Sequence, residues 1–101
     1  MSSAKDPLRV VIIGTARRSN YMYGPIIKAL PEEVELVGVW GRSVDSTRAL
    51  GEALDTPWYT DIDALIDETA PDIGVVSVAY SANGVVGRMA VEHGLHVLLE
   101  T

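Results

Sequence analysis

The chain has 101 residues, enough for one compact core and too few for two domains. Apolar residues make up 48% and charged residues 22%, a composition typical of folded globular domains rather than disordered ones. Cysteine is absent, which excludes a disulfide framework and a thiolate metal site. The net charge of −6 opposes binding to nucleic acid or an anionic membrane. No apolar run approaches the roughly 20 residues of a membrane span, and the first residues lack the apolar stretch of a secretory signal. We therefore expect a cytoplasmic protein with a small-molecule partner.

Apolar runs separated by helix-like segments predict a parallel sheet. The first run, Leu8–Ile13, ends at Gly14 and is typical of a central strand buried on both faces. The intervening segments place apolar residues at helical spacing after candidate N-caps such as Ser43 and Asp61. This alternation predicts an α/β fold, a Rossmann-type doubly wound parallel sheet with strand order 3-2-1-4-5. The predicted strands are 8–13, 34–40, 58–59, 73–79 and 95–99, and the predicted helices are 43–54, 61–69 and 83–93.

The segment 15–30 should hold the helix that follows the first strand, but it contains Gly24 and Pro25. Proline suits the first turn of a helix and disfavours its interior, where its ring clashes with a preceding carbonyl. We expect this helix to start late or to be kinked.

Ligands of open parallel sheets bind at the carboxyl ends of the strands where strand order reverses, here between strands one and four. The loop after strand one resembles a phosphate-binding turn, G-x-G-x-x-G, in which glycines let backbone N–H groups approach a pyrophosphate. Only Gly14 matches, because Ala16 and Ser19 occupy the second and third glycine positions. A plain strand-to-loop glycine is the alternative. The candidate cofactor-binding residues here are Gly14, Thr15, Ala16, Arg17, Arg18 and Ser19.

The residues after strand two favour NADP over NAD. NAD enzymes usually place an Asp or Glu here to accept from the ribose 2′-hydroxyl. This chain has Gly41, Arg42 and Ser43 instead, and a guanidinium offers a planar donor fork to phosphate oxygens. Arg17 and Arg18 are predicted at the same edge, which suits an anionic ligand. Alternatively, Arg42 is a solvated charge and Ser43 an ordinary helix N-cap.

The end of strand four supplies a ring, hydroxyls and an amide that suit stacking on, or hydrogen bonding to, a cofactor ring and ribose. Alternatively, Ser81 or Asn83 simply caps the following helix. The candidate residues here are Ala79, Tyr80, Ser81 and Asn83.

Five segments together closely resemble the N-terminal domain of the glucose-fructose oxidoreductase / inositol dehydrogenase (Gfo/Idh/MocA) family, over nearly the whole chain. The most specific is 94–100, Gly-Leu-His-Val-Leu-Leu-Glu, which resembles the family's Gly-x-His-Val approach to a Glu-Lys-Pro motif. The resemblance implies that residues 14–19 hold the pyrophosphate and that Arg42 and Ser43 face the adenosine ribose. It further implies that residues 80–83 and Glu100 border the nicotinamide. The matching segments are 9–14, 34–43, 58–61, 71–79 and 90–100.

The chain departs from the family pattern at Ala16, at Asn83, where the family often has His, and at Thr101, which takes the place of the motif's lysine. That lysine commonly assists proton transfer, and threonine has no accessible pKa near neutrality. The family's second, substrate-binding domain has no counterpart in this sequence. We interpret residues 1–101 as one dinucleotide-binding domain, truncated before the second domain and inactive alone, and we assign no catalytic or metal-binding residue.

The leading hypothesis is the NADP- or NAD-binding domain of an oxidoreductase acting on a sugar, cyclitol or related carbonyl compound. One alternative is a noncatalytic Rossmann module that binds a nucleotide or a partner protein. Another is nonredox net chemistry through a transient oxidation. The expected partners are the dinucleotide, the missing C-terminal substrate domain or a partner chain, and a second copy, because a face that meets a second domain is apolar.

Overall fold

The computed structural model describes residues 6–78 and 83–99 of the chain. The described residues form a five-stranded sheet in the order β3-β2-β1-β4-β5, with every neighbouring pair parallel. Both the strand order and the fold class predicted from the sequence are confirmed. The strands are β1 (Leu8–Ile13), β2 (Val34–Trp40), β3 (Trp58–Tyr59), β4 (Ile73–Val76) and β5 (His96–Leu99).

Helices cover both faces of the sheet, because β1 sends alternate side chains in opposite directions. Val10 and Ile12 belong to an apolar cluster with residues of the first two helices, whereas Val11 and Ile13 pack with residues of the last two. No helix in the described ranges is long and apolar enough to span a membrane. The helices are α1 (Gly24–Lys28), α2 (Val44–Leu54), α3 (Ile62–Thr69) and α4 (Asn83–Glu92), and a π-helical segment (Ser19–Tyr23) precedes α1.

The regular α-helix after β1 starts late, at Gly24, and irregular helical backbone precedes it. Helical backbone begins at Arg17 and continues through the π-helical segment into α1. Within it the Gly24 N–H bonds to the Ser19 carbonyl, five residues back. Pro25 has no N–H to donate and lies in the first turn of α1. The wider π turn before it accommodates the proline without a break in the helix.

Strand β4 ends at Val76, three residues before the predicted end at 79. The Ser77 N–H still donates to the Ile13 carbonyl at 2.8 Å. The Ser77 carbonyl, however, accepts from the Ala16 N–H at 3.2 Å, so the sheet pairing gives way here to a bond with the turn after β1. The other predicted helix and strand boundaries agree with the structure to within one residue.

Candidate functional site

A cleft in two adjoining lobes opens at the carboxyl ends of β1 and β2. The inner lobe has a volume of about 370 Å³ and the outer lobe about 510 Å³. Thr15, Ala16 and Ser46 line both lobes, and the Thr15 hydroxyl lies 3.4 Å from the Ser46 hydroxyl. The inner lobe is otherwise lined by Gly14, Trp40, Gly41, Arg42, Ser43, Val78 and Val86, and the outer lobe by Arg17, Asn20, Ala49 and Leu50.

Only glycine fits at position 14, where β1 passes into the cleft. Its φ of +116° lies in a region that L side chains rarely adopt. A Cβ at this position would lie 2.1 Å from the Ser77 carbonyl oxygen. The Gly14 N–H donates to the Trp40 carbonyl at 2.7 Å, which holds the turn against β2. Gly14 is therefore packed closely between β2 and the residues after β4, and it borders the inner lobe at the first glycine position of the phosphate-binding pattern.

Ser19 lies beneath the turn and does not line either lobe. Its side chain is fully buried, and its hydroxyl donates to the Gly14 carbonyl at 3.0 Å. Of the two arginines in the predicted turn, Arg17 lines the outer lobe, and Arg18 is exposed but is not a lining residue. The structure thus brings four of the six candidates of this loop to the cleft: Gly14, Thr15, Ala16 and Arg17.

All three candidates after β2 line the inner lobe. Gly41 is buried, and a Cβ there would lie 2.2 Å from the Thr47 hydroxyl oxygen, so this position also requires glycine for close packing. Ser43 takes the N-cap position of α2, yet its side chain makes no capping hydrogen bond. Arg42 is exposed at the rim. The side-chain cap considered for Ser43 is therefore not formed.

The charge of the cleft favours an anion. Arg17 and Arg42 contribute cations, and none of the lining residues that the structure describes is Asp or Glu. Asp45, in the first turn of α2, lies 3.3 Å from the Arg48 guanidinium, and its side chain is 91% exposed. The described lining therefore contains no carboxylate of the kind that accepts a hydrogen bond from the ribose 2′-hydroxyl in NAD sites.

The remaining candidates are not placed by the structure. Ala79, Tyr80, Ser81 and Glu100 lie outside the described residues, and Asn83 is described only as the first residue of α4. Their predicted contacts with the cofactor remain predictions.

Sequence reasoning missed several lining residues, of which Ser46 is the most informative. It stands three positions after Ser43, so the two side chains share one face at the start of α2. That spacing was a usable signal. The apolar lining residues Trp40, Val78 and Val86 gave none, because each is also typical of a core.

The family model described as "Oxidoreductase family, NAD-binding Rossmann fold" (GFO_IDH_MocA) matches residues 8–101. An uncharacterized oxidoreductase of Schizosaccharomyces pombe is 28% identical over 96 residues, covering 93% of this chain and 26% of that protein. The chain thus spans about a quarter of that relative's length.

Solved structures share the fold. KijD10, a 3-ketoreductase from Actinomadura kijaniata in complex with NADP and TDP-benzene, matches with a TM-score of 0.80 and 24% identity. The match covers 92% of this chain and 28% of that one. The WlbA dehydrogenase from Bordetella pertussis, in complex with NADH and UDP-GlcNAcA, matches with a TM-score of 0.79 and 16% identity, covering 90% and 27%. The chain belongs to the Gfo/Idh/MocA oxidoreductase family, and residues 8–101 form its NAD(P)-binding Rossmann domain.

Proposed function

We propose that the cleft binds NADP in preference to NAD, as the cofactor domain of an oxidoreductase acting on a sugar, cyclitol or related carbonyl compound. The observation that carries the preference is the pair Arg42 and Ser43 on the inner lobe, with no carboxylate among the described lining residues. A guanidinium beside a hydroxyl suits the dianionic 2′-phosphate, whereas a 2′-hydroxyl is ordinarily met by a carboxylate.

The residues present fit a dinucleotide. Thr15 and Ala16, which follow the tightly packed Gly14, line both lobes, where a pyrophosphate could approach the turn backbone. Trp40, Val78 and Val86 give the inner lobe an apolar wall suited to an adenine ring. The nicotinamide, when bound, supplies hydride transfer at its C4 atom. The contribution of this chain is to bind and orient the nucleotide.

The proposed substrate class rests on the proteins that share the fold. The KijD10 ketoreductase was solved with TDP-benzene and the WlbA dehydrogenase with UDP-GlcNAcA. This chain spans 28% and 27% of those two proteins. We place substrate contacts and proton transfer outside these 101 residues and expect the 101-residue chain to bind nucleotide without turnover. Thr101, at the position of the motif's lysine, is consistent with this expectation because a threonine hydroxyl does not titrate near neutrality.

The test compares NADPH and NADH binding to the purified chain by nicotinamide fluorescence. We expect NADPH to bind more tightly than NADH. Arg42→Ala should lower the affinity for NADPH by about tenfold or more, and a tenfold loss corresponds to about 1.4 kcal/mol. NADH affinity should change little. Arg88→Ala is the matched control, because Arg88 is exposed on α4 and is not a lining residue.

Equal loss of NADPH and NADH affinity in Arg42→Ala would contradict the 2′-phosphate assignment while leaving dinucleotide binding intact. Binding of neither nucleotide by the wild-type chain would instead favour the noncatalytic module.

Self-association is part of the same proposal, with a second copy as the partner. Exposed apolar side chains on α4 and β5 support it: Val85, Val91 and Leu98 are 75%, 59% and 59% exposed. We expect the mass measured by light scattering to rise with protein concentration. The Leu98→Lys variant should have a lower mass than the wild-type chain at the same concentration. A constant monomer mass at high concentration would contradict it.

A further inference from the structure

Ser19 occupies the third glycine position of the phosphate-binding pattern, yet it is fully buried. Its hydroxyl donates to the Gly14 carbonyl at 3.0 Å. It also begins the π-helical segment, and its own carbonyl accepts the Gly24 N–H. The helix thus fixes Ser19, and Ser19 in turn fixes the peptide group that enters the cleft.

The consequence lies on the other side of that peptide. The described backbone contains no cis peptide bond, so the Gly14 carbonyl and the Thr15 N–H point in opposite directions from one plane. A carbonyl held inward by Ser19 turns the Thr15 N–H outward, and Thr15 lines both lobes.

The neighbouring N–H groups are already used. The Gly14 N–H donates to Trp40 and the Ala16 N–H to Ser77. Among residues 6–78 and 83–99, no acceptor is found for the Thr15 N–H. The Thr15 N–H is therefore a donor in this turn that a ligand can use.

Because residue 14 is a glycine, its carbonyl needs a hydrogen-bond partner that holds it in one orientation. With no Cβ and a φ of +116°, its peptide group has more rotational freedom than that of any other residue type. Without a donor beneath it, the Gly14 carbonyl would gain a hydrogen bond only by turning toward water in the cleft, and that rotation would turn the Thr15 N–H away from it.

We propose that Ser19 is a positioning residue, whose hydroxyl holds the Gly14–Thr15 peptide so that the Thr15 N–H faces the pyrophosphate of the bound dinucleotide. The inference rests on the proposed function and adds a residue that never touches the ligand. It also gives a role to the serine that replaces the third glycine of the pattern, because its buried hydroxyl is the hydrogen-bond partner of the Gly14 carbonyl.

The test separates pyrophosphate recognition from the rest of the site with two probes. NADPH carries the pyrophosphate, and 2′-AMP carries the adenosine and the 2′-phosphate without it. We expect Ser19→Ala to lower the affinity for NADPH by about tenfold, equivalent to about 1.4 kcal/mol. The affinity for 2′-AMP should stay within about twofold of the wild-type value. Thr69→Val is the matched control, because it also removes a buried hydroxyl that donates to a carbonyl, that of Leu65 at 2.7 Å, and Thr69 lines neither lobe.

Equal weakening of both probes would overturn the positioning role, because a merely structural serine would loosen the whole cleft. Unchanged NADPH affinity would overturn it as well. If the wild-type chain does not bind NADPH, both the proposed function and this inference are wrong. That result is obtained with the wild-type chain, before any variant is made.

A measurement on the wild-type chain keeps the inference testable even if Ser19→Ala does not fold. Inorganic pyrophosphate titrated into the nitrogen-15-labelled chain should move the Thr15 amide proton downfield more than that of Gly14 or Ala16. An unmoved Thr15 resonance at saturation would overturn the inference.

Discussion

His93 Nε2 lies 2.8 Å from Asp63 Oδ1, which ties the end of α4 to the first turn of α3. His93 Nδ1 lies 2.7 Å from the Met89 carbonyl oxygen. Both partners only accept hydrogen bonds, so both bonds form together only when the imidazole is protonated on both nitrogens. Accordingly, the Met89 carbonyl and then the Asp63 carboxylate raise the pKa of His93 above its ordinary value.

The raised pKa sets the sign of a pH dependence. The stabilisation from His93 is fully present below the unfolded pKa of about 6.5 and is lost as pH rises through the higher folded pKa. We expect the chain to lose about 0.5 kcal/mol of unfolding free energy over this range through this pair. Urea unfolding at about pH 6 and pH 8.5 measures it. His93→Gln and Asp63→Asn should both flatten the profile, and an unchanged profile in either would contradict the assignment.

Gly14→Ala should be one of the most destabilising single changes in the chain. The new Cβ would lie 2.1 Å from the Ser77 carbonyl oxygen, and the alanine backbone would have to adopt a φ of +116°. We expect a loss of at least about 2 kcal/mol, from backbone strain and steric overlap together. Gly94→Ala is the matched control, because Gly94 also has a positive φ, +84°, but nothing lies within 4 Å of its Cβ position. Its loss should be about 1 kcal/mol, and equal losses in the two variants would contradict the steric argument.

Ser19 and Ser77, two buried serines on either side of Gly14, should respond in opposite ways to loss of their hydroxyls. Within the described part of the chain, the Ser77 hydroxyl is buried without a hydrogen-bond partner, whereas the Ser19 hydroxyl donates to Gly14. Ser77→Ala should leave stability unchanged or raise it by up to about 1 kcal/mol, and Ser19→Ala should lower it by about 1–3 kcal/mol. Chemical denaturation compares them. A clear destabilisation by Ser77→Ala would show that its hydroxyl has a partner.

Nucleotide binding should be visible in the fluorescence of one tryptophan. Trp40 is buried, lines the inner lobe and donates from its indole nitrogen to the Thr60 carbonyl at 3.1 Å. The chain has 2 tryptophans, and the other, Trp58, is 36% exposed and is not a lining residue. Trp58→Phe should therefore retain the quenching produced by NADPH. Loss of the quenching in that variant would place the nucleotide away from the inner lobe.

Much of the architecture followed from the sequence alone, because apolar periodicity and strand spacing are local signals. Runs such as Leu8–Ile13 and Val34–Trp40 are apolar enough to be buried on both faces, and the segments between the runs are long enough to hold helices, as the crossovers of a parallel sheet require. Strand order and most boundaries were thereby determined. The π-helical segment was not, because it depends on how the helix accommodates Pro25, which propensity alone does not specify.

The sequence by itself also determined the chemistry available at the cleft: a glycine after β1, and an arginine and a serine rather than a carboxylate after β2. Only the tertiary structure decided which of these groups face a ligand. Ser19 and Thr15 are both hydroxyl residues of one predicted turn, yet one is fully buried beneath Gly14 and the other lines both lobes. The π-helical segment that begins at Ser19 contacts α2, and packing between segments that are distant in sequence leaves no mark in the local pattern of the chain.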